Sequence, residues 1–199
     1  DKSPYGQGLA EEFKKTFMSL GGHIISEDGI SIGDKDFKAL LTRLKSASAD
    51  GLYFGGLYTE AGLILKQMKE LGMNQIFVSG DGSRTPGIID IAGDAAEGAY
   101  FTMVGTPVEL LAAAAQFVAD YKKRWTGSGE ELKPFDHFGY EAAQIIFDAL
   151  QKTGNLDRDK LTEALRQTSH EGLLGTTAFD TKGDTLNKTI TMTRASVKN

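Results

Sequence analysis

The chain has no cysteine. Disulfide frameworks, thiolate nucleophiles and cysteine metal sites are thereby excluded, while the compartment stays open. Histidine is scarce too: His23, His137 and His170 lie far apart and form no HExxH pair, so each is expected to be an ordinary surface or partly buried side chain, and no metal site is indicated. No apolar run approaches the roughly 20 residues that cross a bilayer, and no charged-then-apolar leader precedes Asp1, so the chain is expected to be soluble with any export signal already removed. An excess of positive charge is also lacking. Lys plus Arg number 22 against 27 Asp plus Glu, a net charge of −5 with the signs interspersed, so no basic stripe is available for phosphates and nucleic acid is not expected as a partner.

Signatures of catalysis and cofactor binding are missing as well. There is no GxxxxGK[ST] phosphate loop and no GxSxG elbow, and Ser83 in Gly82-Ser83-Arg84 has no base visible in the sequence. Gly6-Gln7-Gly8 at a helix start begins like a dinucleotide fingerprint, but Glu11 stands at the third glycine position and is too large for close helix–strand packing. Neither an enzyme nor a cofactor is expected.

What is there is an alternation. The 199 residues, 40% hydrophobic, suffice for one large domain or two small ones. Leu9, Phe13, Phe17 and Leu20 recur at helical spacing from about Gly6 until Gly21-Gly22 stop the helix, and His23 to Glu27 reads as a short strand. A second helix follows Asp36 on Phe37, Leu40, Leu41 and Leu44, and Leu52 to Phe54 is a strand. Thr59 is read as the cap of a helix buried on Leu63, Ile64, Met68 and Leu71 and closed by Gly72, and Gln75 to Ser79 as the next strand. A short helix over Pro86 to Ala92 and a strand over Gly98 to Met103 follow.

Then the rhythm changes to three helices. One is lined by Leu110, Ala114, Phe117 and Tyr121, a second by Phe138, Ala142, Ile145 and Ala149, and a third by Leu161, Ala164 and Leu165 behind a cap at Asp157. Thr126 to Pro134 reads as a loop. From Thr176 the tail is strand-like, with a turn at Asp180 to Gly183 and alternation from Thr189 to Thr193. An alternating βα chain should open with a strand, yet this one opens on Asp1-Lys2-Ser3-Pro4-Tyr5-Gly6, the kind of loop that follows one.

In a parallel sheet wound with helices, ligands bind just outside the carboxyl ends of the strands. Leu57, Tyr58 and Asp81 stand there, and Tyr5 follows the expected missing strand. Asp81, between Gly80 and Gly82, reads either as a turn residue bonding its own backbone or as an anion held at a strand end for a ligand's ammonium or hydroxyl. The two tyrosines read either as packed loop aromatics or as walls of a site.

The segments DKSPYGQGLAEEFKKTF, GLYFGGLYTEAGLILKQMKELG, SGDG and IAGDAAEGAY resemble the second half of periplasmic branched-chain amino acid binding proteins, the Leu/Ile/Val type that serves ABC importers. The resemblance implies an α/β, type I periplasmic binding protein fold, a parallel sheet with flanking helices, here as an incomplete two-lobed fold. Residues 1–105 would be the second lobe without its first strand, 106–182 the C-terminal part of the first lobe, and 183–199 crossing tail strands. Tyr5 of PYGQG matches a tyrosine that covers the ligand, Asp81 an acidic position that binds its ammonium, and Phe135 of KPFDHF an apolar wall. Leu57 stands where close relatives carry a tyrosine, with Tyr58 beside it. The implied function is capture of an apolar amino acid in the periplasm for delivery to an inner-membrane permease. A receptor or regulatory domain of the same fold is the alternative, and self-association through the face left uncovered is a further expectation.

Overall fold

The computed structural model describes residues 1–129 and 131–197; residue 130, inside the loop read from Thr126 to Pro134, and residues 198–199 of the tail lie outside the described residues. The chain forms two compact units, one of Asp1–Met103 with the segment from Met192, the other of Val104–Thr191.

In the first unit, α1 (Pro4–Ser19) starts two residues before the glycine that the sequence pattern favoured. The Ser3 hydroxyl accepts from the Gly6 N–H, and proline, which needs no N–H in a first turn, occupies the start. Then α2 (Lys38–Ser46), β1 (Gly51–Phe54), α3 (Tyr58–Glu70), β2 (Ile76–Ser79), α4 (Gly87–Ala92) and β3 (Tyr100–Val104) keep the expected alternation. β1 pairs in parallel with β2, Leu52 opposite Phe77 and Phe54 opposite Ser79, and β2 pairs in parallel with β3, Val78 opposite Tyr100. The sheet closes with β6 (Ile190–Arg194) in the order β1-β2-β3-β6. Gly98 N–H donates to Ala195 O and Thr193 Oγ1 to Phe101 O, so the partners descend as β3 ascends and β6 is antiparallel.

The core beneath this sheet is built from Phe54, Phe77 and Phe101, one from each parallel strand, packed against Ala61, Ile64, Leu65 and Met68 of α3 and Ile88 and Ala92 of α4. Helix α3 stops at Gly72, whose φ of +62° is the left-handed conformation glycine tolerates. Its cap is Leu57, not Thr59, because the helix already begins at Tyr58 and Thr59 falls inside its first turn. Two buried polar side chains of α3 hold the irregular chain before α2: Glu60 accepts from the Gly33 N–H at 2.8 Å, and Gln67 accepts from the Phe37 N–H at 2.7 Å while donating to Lys35 O at 2.8 Å.

The strand expected at His23 to Glu27 is not formed. A strand needs a partner in a ladder, and the backbone bond from the Lys2 N–H to Ile30 O at 3.0 Å falls three residues beyond this stretch.

The second unit holds α5 (Ala115–Trp125), α6 (Asp136–Thr153), α7 (Arg158–Arg166) and a hairpin of β4 (Ser169–Gly172) and β5 (Gly175–Ala178). The first of these helices starts later than its apolar pattern suggested: residues 108–114 form two 3-10 turns, and Leu110 is exposed. Asp157 caps α7 as expected, accepting from the Asp159 and Lys160 N–H groups. Strand β4 was not legible in the sequence, being polar and glycine-ended.

On α6 the buried stripe is rotated by one residue from the expected Phe138, Ala142, Ile145, Ala149. It runs His137, Glu141, Ile145, Ala149. The cause is Glu141, whose buried carboxylate accepts from the Leu173 N–H at 2.8 Å and the Leu174 N–H at 3.4 Å in the β4–β5 turn. A Cβ at Gly172 would collide with that carboxylate. His137 is thereby carried fully inside, contrary to its expected surface or partly buried place, and burial lowers its pKa and favours the neutral ring. His170 sits beside Asp148, Nδ1 to Oδ2 at 2.8 Å, with Glu141 3.9 Å from Nε2.

Glu141→Ala is expected to leave the hairpin N–H groups without their charged acceptor and to destabilise this unit by about 1.5–3 kcal/mol. Glu141→Gln, which keeps an acceptor, should cost less. Denaturant unfolding with amide exchange at Leu173 checks this, and undiminished protection at Leu173 in the alanine variant would contradict it.

Candidate functional site

At the carboxyl ends of β1 and β2 the chain brings three of the sequence-marked residues together. Tyr5 lies in the first turn of α1, Leu57 caps α3 just beyond β1, and Asp81 opens a 3-10 turn (Asp81–Ser83) just beyond β2. Tyr5 Oη donates to Asp81 Oδ1 at 2.8 Å and accepts from the Gly82 N–H at 2.9 Å. Leu57 joins them over the same glycine: a Cβ at Gly82 would stand 2.7 Å from Tyr5 Oη and 3.0 Å from Leu57 Cδ2. Glycine leaves room here for the close approach of these two side chains, and its φ is not positive.

Tyr58 points elsewhere. Its ring lies over Gly87, where a Cβ would come within 2.9 Å of Tyr58 Cε2, so it flanks the start of α4. Phe135 belongs to the other unit, half exposed at the residue before α6, with its ring 6.3 Å from that of Phe138.

Of the two readings of Asp81, its carboxylate bonds a side chain 76 residues away and not its own turn backbone. A carboxylate accepts about four hydrogen bonds, so one from a phenol leaves capacity for an ammonium group. Tyr5, Leu57 and Tyr58 are each about 40% exposed, so the apolar surface at these strand ends faces outward. Burial first, and then the bond to anionic Asp81, push the Tyr5 phenol above its ordinary pKa of 10.0, against the smaller opposing effect of the Gly82 N–H. Burial and the Asp81 charge raise Tyr53 as well.

Two residues were not marked as site residues by the sequence. Ser79 and Ser83 are fully buried, their hydroxyl oxygens 2.8 Å apart. Ser79 Oγ lies 2.7 Å from Phe54 O, and Ser83 Oγ donates to Gly56 O at 3.0 Å. Period-two burial along β2, with Phe77 and Ser79 on one face, is the signal that could have found the first. Ser83 is thus engaged inside the protein and presents no nucleophile at the surface. Among the described residues no group of three or more His, Asp or Glu is placed to hold a metal ion, and no helix is long and apolar enough to cross a membrane.

A family profile described as periplasmic binding protein matches residues 1–199. The Leu/Ile/Val-binding protein homolog 1 of Brucella suis is 36% identical over 185 residues, 92% of this chain and 48% of that protein. A leucine-, isoleucine-, valine-, threonine- and alanine-binding protein of Pseudomonas aeruginosa is 37% identical over 187 residues, 94% of this chain and 49% of its own length. The crystal structure of a leucine binding protein, LivK, from Thermotoga maritima superposes with a TM-score of 0.88 at 31% identity, covering 98% of this chain and 55% of that one. The chain therefore spans about half the length of the curated relatives it matches.

The raised phenol pKa values give a pH dependence with a definite sign. In the unfolded chain a tyrosine loses its proton near pH 10, whereas in the folded chain Tyr5 and Tyr53 hold theirs to higher pH. Their contribution to stability is complete below pH 10 and is lost as the pH rises through the folded values. Thermal unfolding between pH 8 and about 12 should show this decline, and Tyr5→Phe should remove the Tyr5 share; an unchanged slope in that variant would contradict the assignment.

Proposed function

The chain belongs to the periplasmic binding protein family, and from that premise we propose that it forms the ligand-recognising part of an amino acid binding component of an ABC importer. The observation that carries this reading is the cluster of Tyr5, Leu57, Asp81 and Gly82 at neighbouring strand ends. Asp81 pairs with the ammonium of an apolar L-amino acid, branched-chain or similar, while Tyr5 and Leu57 form the apolar wall beside it, and Phe135 enters as an apolar wall residue through the family resemblance alone. Closure around the ligand, not chemistry, is the output, and the closed form is handed to an inner-membrane permease in the periplasm.

On this reading residues 1–105 make up most of one lobe, 106–182 part of the other, and 183–199 return between them. The names of the relatives, which include leucine, isoleucine and valine, support the ligand class. Leu57 supports a pocket with room for a larger or differently shaped side chain, since the resemblance places a tyrosine there.

In the full-length protein Asp81→Ala should weaken leucine binding on the order of 10- to 100-fold, as expected for loss of a hydrogen bond to a charged group of about 1.5–3 kcal/mol. The analogue without the amino group, 4-methylpentanoate, should be rejected by the unmutated protein. Calorimetry decides both: equal leucine affinity in the variant would remove Asp81 from the site.

The 199-residue chain alone should bind leucine only at millimolar concentration or more weakly, because the cluster answers the ammonium and side chain while its own donors, the Tyr5 phenol and the Gly82 N–H, are already engaged within it. Tyr140, Ile146 and Phe147 on the outer face of α6 should drive its self-association, seen as a concentration-dependent mass in light scattering. Micromolar leucine binding by a monomeric 199-residue chain would overturn this division of the site.

A further inference from the structure

The Ser79 and Ser83 hydroxyls form a buried chain that no ligand could reach. Ser79 ends β2 and Ser83 ends the 3-10 turn, so they bracket Asp81 on both sides. Both are tied to the loop after β1: Ser79 Oγ lies 2.7 Å from Phe54 O, the last residue of β1, and Ser83 Oγ donates to Gly56 O, next to Leu57. The hydroxyl oxygens are 2.8 Å apart, so two protons serve three links and the pair behaves as one unit. Within the turn, Ser83 N–H donates to Gly80 O at 3.2 Å and Arg84 N–H to Asp81 O at 3.0 Å, which transmits the anchoring to the residue that carries the carboxylate.

We propose that Ser79 and Ser83 are positioning residues for ligand recognition: they fix the spacing between the loop bearing Leu57 and the turn bearing Asp81, and thereby set affinity without touching the ligand. The inference rests on the function proposed above. Its structural consequence is independent of that function, because the same turn presents the Gly82 N–H and the Asp81 carboxylate to Tyr5. A shift of the turn registers in the Tyr5 phenol, whereas a mere loss of core stability does not.

The test uses the full-length protein with Ser79→Ala, Ser83→Ala and the double variant. Leucine affinity is measured by calorimetry, and Tyr5 ionisation by NMR of tyrosine labelled with carbon-13 at Cζ. Each single variant should weaken leucine binding about tenfold, the double variant should lose far less than the product of the two, and the Tyr5 pKa should fall back toward its ordinary value. A single variant that binds leucine within about twofold of the unmutated protein, with Tyr5 titrating unchanged, overturns the inference. If the unmutated protein binds no apolar amino acid, the proposed function fails, and the Tyr5 titration alone then supports or overturns the positioning role. Should an alanine variant fail to fold, Ser83→Cys, which fills the site with a somewhat larger group and a weaker donor, is read by the same two measurements.

Discussion

Tyr5 and Asp81 are 76 residues apart in sequence, and the bond between them holds because the start of α1 lies against the loop after β1 while β1 and β2 deliver their loops to the same end of the sheet. The Gly-Asp-Gly segment is shaped to receive that phenol. A Cβ at Gly80 would lie 2.7 Å from Leu9 Cδ1 and 3.1 Å from Tyr5 Oη, and one at Gly82 2.7 Å from Tyr5 Oη, so the two glycines leave the space that the ring end occupies. The carboxylate, the phenol and the Gly82 N–H then form a short relay in which each polar group has a partner within the protein. Leu57 lies against the same glycine, which brings an apolar surface to within a side chain's width of a charge. The position of the whole cluster follows from the topology, since β1 and β2 run parallel and deliver their loops to the same end.

Much of the first unit was legible because each element there obeys one period. The stripe of α3, the stop at Gly72 and the short apolar strands are local signals, and the structure repeats them. The errors fall where a partner distant in sequence decides the outcome. The stretch from His23 to Glu27 has the apolar pattern of a strand but no ladder of hydrogen bonds to make it one. On α6 the apolar spacing pointed to a stripe led by Phe138, whereas the buried stripe is led by His137. Glu141 chose between them by capping a turn more than 30 residues on. The miss ahead of α5 is instead local: apolar residues recur at helical spacing from Leu110, yet two 3-10 turns occupy the chain up to Ala114 and the helix begins at Ala115.

The site was legible to the same degree and for the same reason. Placing Leu57 and Asp81 needed only the rule that loops after parallel strands share an edge, whereas Tyr5, on α1 with no strand before it, reaches them by the bond to Asp81. Separating Leu57 from its neighbour Tyr58 needed the geometry of the helix start. With Leu57 at the cap its side chain falls over Gly82, while Tyr58, one residue into the helix and about 100° further round, falls over Gly87. The serine pair was opaque because serine at the end of an apolar strand reads as the beginning of a loop. Its burial becomes meaningful only when Phe54 O and Gly56 O are seen to face it.

Orientation and affinity have different sources at such an edge. Asp81 is already bonded to Tyr5, so an arriving ammonium would gain a contact to a carboxylate whose geometry is fixed beforehand, and little ordering cost remains. Tyr5 and Leu57 remain about 40% exposed, and covering apolar surface releases on the order of 25 cal/mol per Å². On the proposed function the carboxylate would select which end of the ligand points inward, while the aromatic and aliphatic walls would supply attraction that grows with the ligand's apolar area. On the proposed function, that division accounts for a protein that requires an amino group yet tolerates several apolar side chains. The pair contact is common to all of them, and only the area term differs. A leucine at position 57 fits the same proposal: with less bulk than a tyrosine it would change which side chains fit, while Asp81, held in place by the buried serines, would still meet the ammonium.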